Sequence, residues 1–364
     1  MVARKDWRTF LVSQDNLIGA VAGFPDIPFR KQSGQVDGSA NDYEAPNHYF
    51  HINDKSLSGP GYVAFEEMSC PLAVKTLAEN YPGNPPFHNA STDADPELQK
   101  ARFSPLGTSP WRIDQFQNLA IAELQSLLAD KTIDPEKIKR VAYYMGLAAH
   151  YVGDHAVPWH ADSDSHGMKA QHGNIHIYLE KCVDYFLGKA DDPVLGLKVN
   201  PNPDLAIEGR VYALAQKRRE EILKRIDPTA SMIKIAILEL EESLPEKTKF
   251  ENLDQPDILV SKGDKKEKWV RTPYGESCPR FKKDLEDQLA TAAAYVSILY
   301  DRTLPQGFEK IPRSVVSKTK PTEGDIQHLS QLDYPWFNCV APPSPVAQKS
   351  KAHEPNRTTA GHVQ

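Results

Sequence analysis

Apolar residues recur at helical spacing through the later two-thirds of this chain and hardly at all before it. After Trp111, DQFQNLAIAELQSLLAD carries apolar side chains at three- and four-residue intervals, which predicts an amphipathic helix. Asp134-Pro135-Glu136 reads as an N-cap followed by proline at the first helical position. The helix it opens runs through VAYYMGLAAHYVGD and should end before Pro158. The same period returns in IHIYLEKCVDYF, LAIEGRVYALAQKRREEILKRI, ASMIKIAILELEESL and FKKDLEDQLATAAAYVSILYDRTL. No stretch alternates convincingly, so the fold class predicted is all-α, a multi-helix domain.

Punctuation sets the boundaries. Residues 1–110 are rich in Gly, Pro, Asn and Asp and would be costly to order unless packed on a helical core. The stretch from about 245 to 275 is polar and lysine-rich and reads as a surface insertion. Pro, Ser, Lys and Thr dominate from about residue 304, so 306–364 is expected to be a disordered tail behind a domain covering 1–305. His328, His353 and His362 are read as solvated tail residues. No internal repeat is present.

Composition changes this picture little. A hydrophobic content of 40% supports a sizeable core without staples. The net charge of -6 argues against a polybasic nucleic-acid or membrane footprint, but not against a single-stranded substrate held by metals. No apolar run is long enough to cross a bilayer. The early run LVSQDNLIGAVAGF contains Gln and Asp and lacks a clean cleavage site, so it is not read as a signal peptide. Cys70, Cys182, Cys278 and Cys339 form no CxxC pattern; they suit either disulfides after export or free thiols. Cys182, on an apolar-leaning helix position, is expected to be a buried free thiol.

Candidate chemistry concentrates between His150 and Glu180, where six of the twelve histidines lie. His150 and Asp154 are four apart on one predicted helix, and His176 and Glu180 repeat that spacing on the next. Side chains at i and i+4 project from the same side of a helix. His160 follows Pro158, in the turn between them. Imidazole with carboxylate suits zinc better than calcium or magnesium. A lone helical histidine is more often structural, and His155, His166 and His172 are read that way.

This pattern resembles the zinc-dependent phospholipases C and the related single-strand-specific nucleases. The residues that carry it are His150-Tyr151-Val152-Gly153-Asp154 with Pro158-Trp159-His160-Ala161, then His176 and Glu180. Gly107-Thr108-Ser109-Pro110-Trp111-Arg112-Ile113 and Asn47-His48-Tyr49-Phe50 add weaker matches. The likeness spans roughly residues 20 to 305. It implies a zinc-dependent phosphoric diester hydrolase. His150, Asp154, Asp26 and His48 would hold one zinc, and His160, His176 and Glu180 a second. Asp26 would double as the general base at the rim. His51 competes with His48, and Asp37 and Asp42 with Asp26.

Two metal ions of this kind activate water and clamp a phosphodiester. The substrate expected is a phospholipid headgroup. Glu180 and the short His160–His176 gap favour that reading, whereas the Asp26 motif leans toward a single-stranded nucleic acid. A zinc-binding protein without catalysis is the third reading. The resemblance also implies export to the cell exterior or periplasm, and a third zinc held by an N-terminal amine and a nearby histidine. Trp7 is the only early tryptophan and no histidine precedes His48, so two zinc ions are expected and a third is not.

Overall fold

The computed structural model describes residues 15–26, 47–53, 107, 109–129, 134–188 except 166, 168, 171 and 174, then 191–192, 197–198, 203–254, 257–261, 267–270, 274–304 and 322–330. In chain order the helices are α1 (Asp15–Ala22), α2 (Ser109–Ala129), α3 (Pro135–His155), α4 (Ile175–Leu187), α5 (Ile207–Leu223), α6 (Met232–Ser243), α7 (Lys247–Leu253), α8 (Tyr274–Thr303) and α9 (Glu323–Ser330). A 3₁₀ turn, Pro158–His160, separates α3 from α4, and a second, Leu244–Glu246, leads into α7. The fold class is all-α, as the periodicity predicts.

The sequence contains two short antiparallel pairs that alternation did not reveal. β1 (Asp191–Asp192) pairs with β2 (Leu197–Lys198), and β3 (Asp257–Ser261) with β4 (Glu267–Val270). Strands of two to five residues are too short to show a period.

α3 is the central element. Asp134 caps it as expected, its carboxylate accepting from the Glu136 N–H at 2.9 Å, with Pro135 at the first turn. α1, α2 and α8 pack on α3, and α6 packs on α2. Their apolar faces form one core around Phe116, Tyr151, Val152, Ile235 and Ile298. A second core gathers Trp159, Leu179, Phe250 and Phe281 from the 3₁₀ turn, α4, α7 and α8. α3 belongs to the first core, and the 3₁₀ turn that follows it brings Trp159 into the second.

Three sequence expectations change here. Cys182 is not a free thiol: it is bonded to Cys278, tying α4 to the start of α8. Cys182 and Cys278 are both buried where α4 meets α8, a pairing that one helix's pattern cannot reveal. The 245–275 stretch is more than a surface insertion. Its α7 buries Phe250 in the second core, and Lys247 pairs with Asp162 at 2.7 Å. The 306–364 stretch is not structureless throughout, because α9 docks on α3. Leu329 is buried, and Asp325 lies 2.9 Å from the Lys139 ammonium and 3.1 Å from the Tyr143 hydroxyl. One buried leucine and one carboxylate facing a complementary pair supply what the segment's composition lacks.

Candidate metal centre

His150 and Asp154 leave α3 on the same side, one turn apart. Tyr151, fully buried between them, stacks on Phe116 of α2 and meets the His150 ring edge-on at 5.1 Å. α1 approaches α3 closely at Gly146, where an added Cβ would sit 2.7 Å from the Ile18 carbonyl. That approach brings Asp26, just past α1, to the His150 side of the helix.

His48 comes from the short segment 47–53, which is held from three sides. Phe50 is buried edge-on against Trp111 at 5.3 Å and bridges Gly107 as an isolated antiparallel pair. Gly107 has φ 82°, and a Cβ there would fall inside the Tyr49 carbonyl, so only glycine fits. The Phe50 N–H donates to the His160 carbonyl at 3.0 Å, and the His160 Nδ1–H donates to the His48 carbonyl at 2.5 Å. This reciprocal pair joins the segment to the 3₁₀ turn.

The first cluster follows. His48 Nδ1 is 2.9 Å from Asp154 Oδ2 and 3.1 Å from His150 Nε2. His150 Nε2 is 3.3 Å from the same Asp154 oxygen. Asp26 Oδ1 stands at 3.9 Å from His48 Nδ1 and 4.0 Å from His150 Nε2, with about half of its side chain exposed. Burial works against charge on Asp154. The His150 and His160 charges and the hydrogen bond from His48 outweigh it and hold the carboxyl well below the usual range. Asp154 thus feels histidines of both groups.

The second cluster is His160, His176 and Glu180. The His160 and His176 Nε2 atoms are 2.8 Å apart, and Glu180 Oε1 lies 2.9 Å from His176 Nε2 and 3.7 Å from His160 Nε2. Each ring uses its other nitrogen on a backbone carbonyl, His160 on His48 and His176 on Ser165 at 3.1 Å. A carbonyl only accepts, so Nδ1 carries the proton and Nε2 of the neutral ring presents a lone pair. Two lone pairs and a carboxylate aimed at one point repel unless a cation, either a metal ion or a shared proton, sits among them. Tetrahedral zinc with bonds of about 2.0–2.1 Å sets ligand atoms roughly 3.3 Å apart, and the observed separations bracket that value. Desolvation disfavours the charged forms here, but His176 and His160 hold the Glu180 carboxyl well below its ordinary value, and Glu180 in turn raises His176.

All seven sequence-nominated residues therefore converge, as groups able to hold a metal: Asp26, His48 and His150 in one, His160, His176 and Glu180 in the other, and Asp154 beside the first. His51 stays outside them, buried and stacked on Tyr49 at 4.4 Å. Asp37, Asp42, His166, Trp7 and the N-terminal amine lie outside the described residues. His155 is structural: its Nδ1–H donates to the Ala236 carbonyl at 3.2 Å and its Nε2 accepts from the Ser109 hydroxyl at 2.6 Å. Burial keeps it neutral, its pKa pushed down to about 3. His172 pairs with Asp254 at 2.9 Å, supporting the loop between the 3₁₀ turn and α4.

Sequence reasoning missed the orienting partners, the His48 and Ser165 carbonyls. Backbone acceptors leave no residue signature. Comparison with known proteins finds no matching family model, no matching curated protein and no matching solved structure.

Proposed function

We propose that this chain is a zinc-dependent phosphoric diester hydrolase acting on phospholipid headgroups, in the manner of the phospholipases C it resembles. The observation that carries the reading is the pair of facing His160 and His176 Nε2 lone pairs beside the Glu180 carboxylate, with a second histidine–carboxylate group across Asp154. Imidazole and carboxylate in this ratio fit zinc. Zinc, when bound, supplies Lewis acidity, making water nucleophilic at neutral pH and offsetting charge on phosphoryl oxygens.

The chain's own residues do the rest. His48, His150, Asp154 and Asp26 would hold one ion, and His160, His176 and Glu180 the other. The carbonyls of His48 and Ser165 fix two of the rings, as acceptors behind metal-ligating histidines do. Asp154 offsets cation charge from between the groups. Asp26, with the most solvent access of the first group, would take the proton from the attacking water at the carboxylate oxygen that does not face the ion. The related nuclease activity is the second reading, favoured by Asp26 itself, whose GFPDIPFR setting resembles nuclease-type members.

Purified protein, analysed for bound metal, should retain two zinc equivalents after dialysis and hydrolyse phosphatidylcholine faster than single-stranded DNA. Faster DNA hydrolysis favours the nuclease. Zinc retained without either activity makes the chain a metal-binding protein, and no retained zinc removes the proposal.

A further inference from the structure

Immediately behind Glu180 the helices leave space. A chamber of about 70 Å³ opens between the end of α3, α4 and α8, walled by Gly153, Val157, Leu179, Glu180, Val183 and Leu289. Apart from Glu180, Gln288 is the one polar side chain on its wall. An added Cβ at Gly153, the residue before Asp154, would meet nothing within 4 Å.

The chamber shares Leu289 and Ala292 with a second, larger groove of about 460 Å³ between α5 and α8. That volume lies within the range of small-molecule sites. Val211, Ala293, Val296 and Tyr300 line it, with Glu208 and Ser297 as its polar members. Leu187 stands on its rim with 40% of its surface exposed, and Leu205, two residues before Ile207, is 94% exposed. From Leu285 to Tyr300, α8 offers roughly 22 Å of wall at 1.5 Å per residue.

A solvated groove has no reason to be this poor in polar groups over such a length. Glu180, a member of the second cluster, lines the narrow chamber, and the half-exposed Leu187 lines the open groove. We infer that the chamber and groove together seat one long acyl chain of the substrate, with its phosphodiester at the metal centre and its chain running along α8. A nucleic acid is a poorer fit: its phosphates need cations, and no lysine or arginine lines the chamber or the groove. The inference rests on the hydrolase reading and narrows its substrate to lipids with an extended chain.

The test uses zinc-loaded protein and two measurements. The first is calorimetric binding of dodecylphosphocholine, below its micellar concentration, against phosphocholine. Each methylene that leaves water should tighten binding by about fourfold, so the chain should add more than about 100-fold. The second is hydrolysis of p-nitrophenyl phosphorylcholine, which has no acyl chain. Ala292→Trp, at the junction, should reduce dodecylphosphocholine affinity to within a few-fold of phosphocholine. It should leave p-nitrophenyl phosphorylcholine turnover unchanged. Ala293→Trp, farther along the groove, should act in the same direction if Ala292→Trp fails to fold. Equal binding of the two ligands by wild type, or full chain-dependent affinity in both folded variants, overturns the groove. Chain-dependent binding lost in the variants, without any hydrolysis by wild type, upholds the groove and overturns the reaction. Hydrolysis without chain dependence does the reverse.

Discussion

At the residue scale, the site is a matter of which lone pairs face which charges. Asp154 holds a negative charge where burial alone would remove it, because two histidine groups demand one there. Asp154→Asn keeps the shape and removes the charge. Hydrolysis should fall by at least about 10²–10³, the usual cost of losing one charge-stabilising group, and zinc content should fall with it. Metal analysis and turnover on one preparation check this; wild-type values in both would make Asp154 a bystander. Gly107→Ala tests the support instead of the ligand. Its Cβ would collide with the Tyr49 carbonyl and displace His48 while leaving every ligand in the sequence. Zinc affinity should drop, more at the His48 group than at the His176 group, as read by zinc titration of the metal-free protein.

At the element scale, the helices were legible and their partnerships were not. Apolar spacing gives away α2 through α6 and most of α8, and the i,i+4 pairs His150–Asp154 and His176–Glu180 follow from helical geometry alone. That Asp26 and His48 reach the same point depends on the close approach at Gly146 and on Phe50 docking against Trp111, both long-range events without a local period. The Cys182–Cys278 bond is of the same kind. It joins positions 96 residues apart, and a loop that long restricts the unfolded chain by about 4–5 kcal/mol in the entropic account. Replacing both cysteines by serine should cost about 2–4 kcal/mol in denaturant unfolding and weaken zinc binding at the proposed α4-borne site more than at the other. α9 was hidden in a proline-rich stretch. Desolvation opposes the charge of Asp325, but the Thr322 N–H, Lys139 and Tyr143 lower its pKa to about 2. A depressed carboxylate stabilises the fold above its unfolded value of about 3.9 and loses that contribution as pH falls toward 2. Protection factors across α9, corrected for intrinsic exchange, should therefore fall between about pH 4 and 2 in the wild type, and should be low throughout in Asp325→Asn.

At the scale of the whole molecule, the histidine groups lie at the seam where α3, in the first core, gives way to the 3₁₀ turn, in the second. No described helix is long and apolar enough to cross a membrane. Metal binding at the seam should stabilise the entire fold, since it favours the folded chain alone. Each site filled at 100 times its Kd contributes about 2.7 kcal/mol. Chelation should accordingly lower Tm, and zinc should restore it while magnesium should not. The exchange of hydrogen bonds between the 47–53 segment and the 3₁₀ turn carries one more consequence. His160 grips the backbone of His48 with the nitrogen opposite its own ligand atom. An ion that fixes the His160 ring therefore also fixes the chain that presents His48, and the converse holds. The two ions should load cooperatively: zinc uptake by the metal-free protein should be steeper than two independent sites allow, and His176→Ala, which touches only one group, should weaken binding at both.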